Sequence, residues 1–414
     1  MEFKTTARRT VLALVFGLTA MDLAAFSPPA AASDTAPSAA YALHPAASRA
    51  GLNPKVSKAI DTLISDGIRE GKFPGAVVLV VQNGAILKWQ ADGDAYLYGP
   101  DGKKVSDPVP MTRNTLFDLA SITKMFTTVA VMQLVERGEV DLNKPVSAYL
   151  PDFATNGKQA VTVERLLTHT SGLPAWAPLY KTYPTADQRI QAVLTSPLEN
   201  PPDAKYVYSD LGYITLGLLV EKVSSEPLDR FVQQNILKPL GLTQTMFNPP
   251  AALRPWTAAA ESQPWTDRPM VWGQAHDENA WSLNGVAGHA GLFSTAHDLA
   301  VFAQTLLNGG VYAGHRILKE STVRTMLSNQ MSGDFAPHGL GWEINEFWYM
   351  GGFAHHQAFG HTGFTGTSLV VDRSTGTIVV FLTNRVHPSR DNGSINPWRQ
   401  GIANLVEAAV TAAP

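Results

Sequence analysis

The segment Phe117 Asp118 Leu119 Ala120 Ser121 Ile122 Thr123 Lys124 leads into a strongly apolar run, Met125 to Leu134, that reads as a helix. Residues three apart share a helix face, so the Lys124 amine can reach the Ser121 hydroxyl, and the helix N-terminus favours negative charge developing nearby. A desolvated lysine can lose its proton near neutral pH and serve as the base that a weak serine nucleophile needs. Ser121 and Lys124 form the single Ser-x-x-Lys of the sequence. An ordinary helix start with a solvated lysine has the same spelling.

Two further stretches carry chemistry. Tyr206 Val207 Tyr208 Ser209 Asp210 follows the turn Asn200 Pro201 Pro202 Asp203 and precedes the apolar run Leu211 to Val220, which puts Tyr208 on a loop. A phenol there can relay protons if a nearby cation lowers its pKa, and Asp210 can hold a lysine or a substrate amide. The bland alternative is a tyrosine packed over a helix start that Ser209 or Asp210 caps. His361 Thr362 Gly363 Phe364 Thr365 Gly366 Thr367 runs into the strand-like Ser368 to Val371. Glycine at a strand edge lets another backbone approach closely, which suits main-chain hydrogen bonds to a bound acyl group.

The elements that must position these residues are legible from periodicity. Val56, Ile60, Leu63, Ile64 and Ile68 recur at helical spacing behind Pro54. Ala76 to Val81 is a β-branched run, and Asn83 Gly84 before Ile86 to Trp89 signals a two-residue hairpin. Thr367 to Val371 and Thr377 to Leu382 mirror this at the other end, with a closing helix through Ile402, Leu405, Val406 and Val410. Between them lie helical stretches at 121–137, 163–168, 211–224, 228–237 and 296–308. The expected fold is α+β: an antiparallel sheet (about 54–118 and 300–410) flanked by N- and C-terminal helices, with an inserted mainly helical part (about 119–299).

With 45% apolar residues, 16% charged residues and a net charge of -3 over 414 residues, the chain can bury a large core, and nucleic acid is a poor partner for it. The absence of cysteine excludes disulfides, thiolate metal sites and a Cys nucleophile. Lys4, Arg8 and Arg9 ahead of the apolar run Val11 to Met21, ending in Ala30 Ala31 Ala32 Ser33, follow the grammar of a secretory signal peptide over 1–32. The run is short for ~30 Å of hydrocarbon and is followed by Asp22, so no membrane anchor is expected after cleavage. Residues 33–53, rich in Ala, Ser and Pro, read as a flexible tether to a domain spanning 54–410.

The three motifs in this order resemble those of the serine β-lactamases and penicillin-binding proteins, within the class C β-lactamase-like branch. Glu164 to Pro174, Tyr208 to Leu218 and Gly285 to Thr295 resemble further stretches of that branch. The resemblance implies an acyl-enzyme hydrolase without metal or cofactor. It implies Ser121 as nucleophile, Lys124 as its base, Tyr208 as proton shuttle, and an oxyanion hole at the Ser121 and Phe364 N–H groups. Asp210, His361, Thr362, Gly363 and Phe364 would face the substrate. Two positions depart from the pattern: Asp210 stands where Asn is usual, and His361 where Lys is usual. An unperturbed imidazole would lose its attraction for a carboxylate above about pH 6.5.

The expected protein is an exported, periplasmic or secreted hydrolase acting on amide bonds of peptidoglycan-type peptides of the cell envelope, as a D-alanyl carboxypeptidase or endopeptidase with slow β-lactam turnover. A short-chain carboxylesterase, a muramyl-peptide amidase and a penicillin-recognising binding module are the alternatives. His276, His289, His338, His355, His356 and His387 show no metal-binding spacing, His169 is expected to satisfy backbone groups, and Arg385 and Arg390 are expected to be solvated.

Overall fold

The computed structural model describes residues 41–46 and 51–412; the expected signal peptide over 1–32 lies outside them, as does most of 33–53. The main sheet contains β1 (His44–Pro45), β2 (Gly75–Gln82), β3 (Ala85–Tyr98), β4 (Lys104–Pro110), β5 (Glu343–Ile344), β6 (Ala358–Thr362), β7 (Thr367–Asp372) and β8 (Thr377–Thr383). Their order is β1-β3-β2-β8-β7-β6-β5, with β4 on the free side of β3. The two ends of the chain meet where β2 pairs with β8, Val80 opposite Val379. Asn83 and Gly84 turn the β2–β3 hairpin with φ of 47° and 80°, as an Asn-Gly turn requires.

Strand alternation divides the β2 side chains between two cores. Ala76, Val78 and Val80 join Ile60, Ile64, Ile402 and Val406 of α1 (Pro54–Arg69) and α5 (Asn396–Thr411). Val77, Leu79 and Val81 join the larger core of α2 (Thr123–Glu136), α3 (Asp210–Ser224) and α4 (Ala296–Leu307). Helix α2 is buried from Thr123 to Leu134, and Phe126 stacks on Phe302 of α4 at 4.0 Å between ring centroids. Each such buried apolar side chain contributes roughly 1.5–3 kcal/mol. The Ser121 and Lys124 motif is thus fixed to a helix buried along nearly its whole length.

Three features differ from the sequence reading. Residues 41–46 are not a free tether: His44 pairs with Ala85 at the sheet edge, and Leu43 N donates to Tyr312 Oη at 3.0 Å. Strand β4 was concealed by Asp107 and Pro108, and its pairing with β3 is irregular, as an edge strand tolerates. The helical region also holds a small sheet, Phe117–Asp118 and Met246–Phe247 on either side of Leu292–Ser294, that ties the chain before Ser121 to the loop after His289.

Candidate active site

Ser121 does not begin an α-helix. Ala120 adopts φ 47°, and Ala120–Ile122 forms a 3₁₀ turn ahead of α2. A left-handed non-glycine residue costs roughly 1–2 kcal/mol, and neighbouring bonds hold this one in place. Asp118 accepts from Ala120 N at 2.8 Å through one oxygen and from His276 N at 2.6 Å through the other. Thr365 and Thr367 donate to the carbonyls of Asp118 and Leu119 at 2.7 and 3.1 Å. Gly363 lies so close to this turn that a Cβ there would meet the Leu119 carbonyl and the Thr367 hydroxyl. The glycine of the third motif is therefore demanded by contact with the first.

The 3₁₀ turn brings residues i and i+3 into line, and Lys124 Nζ donates to Ser121 Oγ at 3.1 Å. Lys124 is fully buried; its ammonium also donates to the His289 carbonyl at 3.2 Å and lies 2.8 Å from Asp210 Oδ1. It sits 4.7 Å from the centroid of the Tyr208 ring. Tyr208 is set by the helix cap behind it. Ser209 Oγ accepts from Gly212 N at 3.1 Å, and Ser209 N donates to His169 Nδ1 at 3.0 Å, so His169 does satisfy a backbone group. The Tyr208 hydroxyl is buried beside Ser121 with no partner in hydrogen-bond geometry among the described residues. Burial first, and the Asp210 charge second, push the phenol well above its ordinary range, which corrects the expectation that a nearby cation would lower it: Tyr208 is held in its protonated form.

His361 is buried, and its Nδ1 donates to the Thr362 carbonyl at 2.7 Å. Burial, then the charge of Lys124, lower the imidazole to about 3. This corrects the expectation of a charge that fades near pH 6.5: His361 is neutral throughout the neutral range and gives a carboxylate no cation. Neither the Ser121 nor the Phe364 N–H is engaged by a backbone acceptor among the described residues, which leaves both donors open to the cleft. The half-exposed Phe364 ring lies 4.8 Å from the Arg385 guanidinium and 5.7 Å from that of Arg390, with His276 stacked at 5.6 Å. Arg385 Nε donates to the Phe364 carbonyl at 2.9 Å.

The expectation of solvated arginines is also corrected. Arg390 is held by Glu261 at 2.6 Å and Glu278 at 2.7 Å. Burial alone would raise Glu261, but hydrogen bonds from His276 and Arg390 outweigh it and hold the carboxyl at about 2. His289 pairs with Asp277 at 2.8 Å. Asp210, Asp277 and His289 bring ligand atoms within 4.8 Å of one another, a spacing open to a divalent cation, although Lys124 already neutralises Asp210.

Two cavities, about 490 and 640 Å³, meet at Ser121, Tyr208 and Phe364. The first is lined by His361, Thr362, Gly363, Arg385, Arg399 and Glu343; the second by Trp176, Trp265, Tyr180, Asp277 and Glu278 among others. Sequence reasoning missed Glu261, Asp277, Glu278, Glu343 and Arg399. None belongs to the three motifs: Asp277 and Glu278 adjoin His276 without a recognised spacing, Glu343 and Arg399 stand apart in sequence, and Glu261 acts on the cleft through Arg390.

A buried lysine on a serine hydroxyl, a protonated phenol beside both and two free main-chain N–H groups, mounted where a sheet meets a helical region, define a serine hydrolase. The family model described as Beta-lactamase matches residues 60–403, and the chain belongs to that family. A Salmonella agona (strain SL483) protein named "Putative D-alanyl-D-alanine carboxypeptidase" is 37% identical over 371 residues, covering 82% of this chain and 84% of the relative. The fold matches a penicillin-binding protein homologue from Caulobacter crescentus (TM-score 0.66, 21% identity, 87% of this chain and 99% of that one). It also matches a family VIII carboxylesterase (TM-score 0.65, 22% identity, 87% and 98%).

Proposed function

We propose that this protein is an exported hydrolase that forms an acyl-enzyme on Ser121 and cleaves amide bonds of peptidoglycan-type peptides, with D-alanyl carboxypeptidase or endopeptidase chemistry and slow β-lactam turnover. The observation that carries the mechanism is the buried Lys124 ammonium 3.1 Å from Ser121 Oγ and 2.8 Å from Asp210. Once its proton has passed out of this cluster, Lys124 takes the Ser121 proton as the hydroxyl attacks the carbonyl, and the Ser121 and Phe364 N–H groups receive the developing oxyanion. The proton taken from Ser121 passes from Lys124 through Tyr208 to the leaving group, so that Lys124 is again neutral and the phenol again protonated, and water then attacks the acyl-enzyme. The 37% identical relative supports the peptide substrate. Export rests on the charge, apolar run and small-residue ending of residues 1–32, and cell-envelope peptides are the partners that go with it.

Neutral His361 favours a second reading, a carboxylesterase, because acyl transfer from an ester needs no cation for a substrate carboxylate. Incubating the protein and its Ser121→Ala variant with a fluorescent penicillin, a chromogenic short-chain ester and a D-Ala-D-Ala muropeptide separates the two. Label at Ser121 with muropeptide cleavage is expected. Ester turnover alone moves the assignment to an esterase, label without turnover of any substrate to a binding module, and activity retained in Ser121→Ala overturns the mechanism.

A further inference from the structure

The half of the cleft beside the third motif is lined by two guanidinium groups, Arg385 and Arg399, and by one carboxyl, that of Glu343. Strand β5 places Glu343 opposite Gly360, next to His361. Its Oε2 is buried against the Tyr349 hydroxyl, which lies within reach of a hydrogen bond to the carboxyl, and Nε of Arg399 is buried without a partner among the described residues. Arg399 directs its other nitrogens to the Gly363 and Thr367 carbonyls, both at 2.9 Å, and to Asn396 Oδ1 at 3.0 Å. The Glu343 carboxyl and the unpartnered Arg399 Nε together give this wall polar groups that a ligand group can complete.

Resting on Ser121 as the nucleophile, we propose that Glu343 is a gate for anionic substrates: its neutral form can donate to a substrate carboxylate beside Arg399, and its ionised form repels that carboxylate. Burial raises the carboxyl to about 7, Glu346 adds to the rise, and Tyr349, Arg399 and Lys124 oppose it. Glu346 is raised by burial too, and the Glu343→Gln variant separates its part; the remaining groups facing this wall do not titrate there. His338, bridged to Glu343 by backbone, is lowered to about 4 by burial, and His361 to about 3. Tyr206, Tyr208 and Tyr349 are pushed above their ordinary range chiefly by burial, and Arg399, lowered by burial to about 10, stays charged.

The test uses N-acyl thioesters, whose reactivity serves an esterase and a peptidase alike. One is uncharged, one carries a carboxylate on the thiol side and one on the acyl side; kcat/KM is followed from pH 5.5 to 9 by thiol release over a protein-free blank. For at least one charged probe, the ratio of its kcat/KM to that of the uncharged probe is expected to fall roughly tenfold per pH unit above about 7 before levelling. In Glu343→Gln that ratio is expected to be constant with pH. Parallel wild-type profiles for all three probes overturn the gate whatever the variant does, and so does a decline that persists in Glu343→Gln. Turnover of the uncharged probe that is lost in Ser121→Ala keeps the nucleophile assignment standing even where the gate fails. No turnover of any probe removes both.

Discussion

Replacing Asp118 tests whether the strained turn before Ser121 is held by the contacts described here. Its carboxyl bridges Ala120 N and His276 N, both within 2.8 Å, and burial raises its pKa in spite of those bonds. In Asp118→Ala two buried N–H donors lose their acceptor at about 1–3 kcal/mol each, so a loss of about 2–6 kcal/mol is expected. A folded chain of this size unfolds with roughly 0.8 kcal/mol per kelvin of entropy at its midpoint, which turns that loss into a Tm drop of about 3–8 °C. The loss also has a functional face. Without the clamp Ala120 can leave φ 47° and carry Ser121 away from Lys124, and a displacement of about 1 Å in such a centre costs on the order of 10²-fold in rate. Thermal unfolding by circular dichroism and the rate of Ser121 acylation by a fluorescent penicillin, followed by intact mass, read the two effects. Asp118→Asn keeps one acceptor and is expected to fall between wild type and Asp118→Ala. A Tm within 1 °C of wild type together with an unchanged acylation rate would refute the reasoning.

Tyr208→Phe is expected to lower kcat/KM about 10²–10⁴-fold, with the Tm essentially kept because the hydroxyl has no partner in good hydrogen-bond geometry among the described residues besides its approach to Ser121; steady-state kinetics and a melting curve check both halves. Gly363→Ala puts a methyl group against the Leu119 carbonyl and should impair acylation strongly even where circular dichroism shows a folded protein. Stability should fall on acidification. His338, His361 and His387 are lowered by burial to about 4, 3 and 4, so below the unfolded value near 6.5 the unfolded chain binds protons that the native one does not. Each withdraws about 1.4 kcal/mol per pH unit until its native pKa is reached, up to about 6 kcal/mol in all at pH 5, while Glu343, raised to about 7, works the other way; melting temperatures between pH 5 and 7.5 test the net sign. Restoring the usual residues in the double variant Asp210→Asn, His361→Lys should speed acylation by a penicillin, which carries a carboxylate, relative to turnover of a neutral ester, and an unchanged ratio would count against the electrostatic account.

The strands and helices were legible where one period dominates. Ala76 to Val81 and Thr377 to Leu382 became β2 and β8 within a residue or two, because a run buried on both faces needs no polar alternation. The three motifs were legible too, each tied to a local feature: a helix start, a helix cap and a glycine at a strand end. The positive φ of Ala120 was not, since alanine does not signal it and the Asp118 clamp that imposes it closes on His276, far away in sequence. The state of His361 was equally hidden. Its type suggested a titrating cation, and only its burial beside Lys124 makes it neutral.

The two departures from the family pattern act in the same direction. A Lys in the third motif and an Asn in the second would leave two cations around the nucleophile. Here His361 brings no charge and Asp210 brings a negative one, so Lys124 and Asp210 cancel. A unit charge about 6 Å away at an effective dielectric constant near 20 is worth about 3 kcal/mol, on the order of 10²-fold in affinity for a carboxylate. A catalytic centre of this composition has little attraction of its own for an anion. Selection by charge must then come from the cleft wall, where Arg385 is partly committed to the Phe364 carbonyl and Arg399 stands beside Glu343. The proposed gate would thereby separate bond-breaking from substrate choice: acyl transfer would rest on the Ser121, Lys124 and Tyr208 cluster, and admission of a charged group on the wall that holds Glu343.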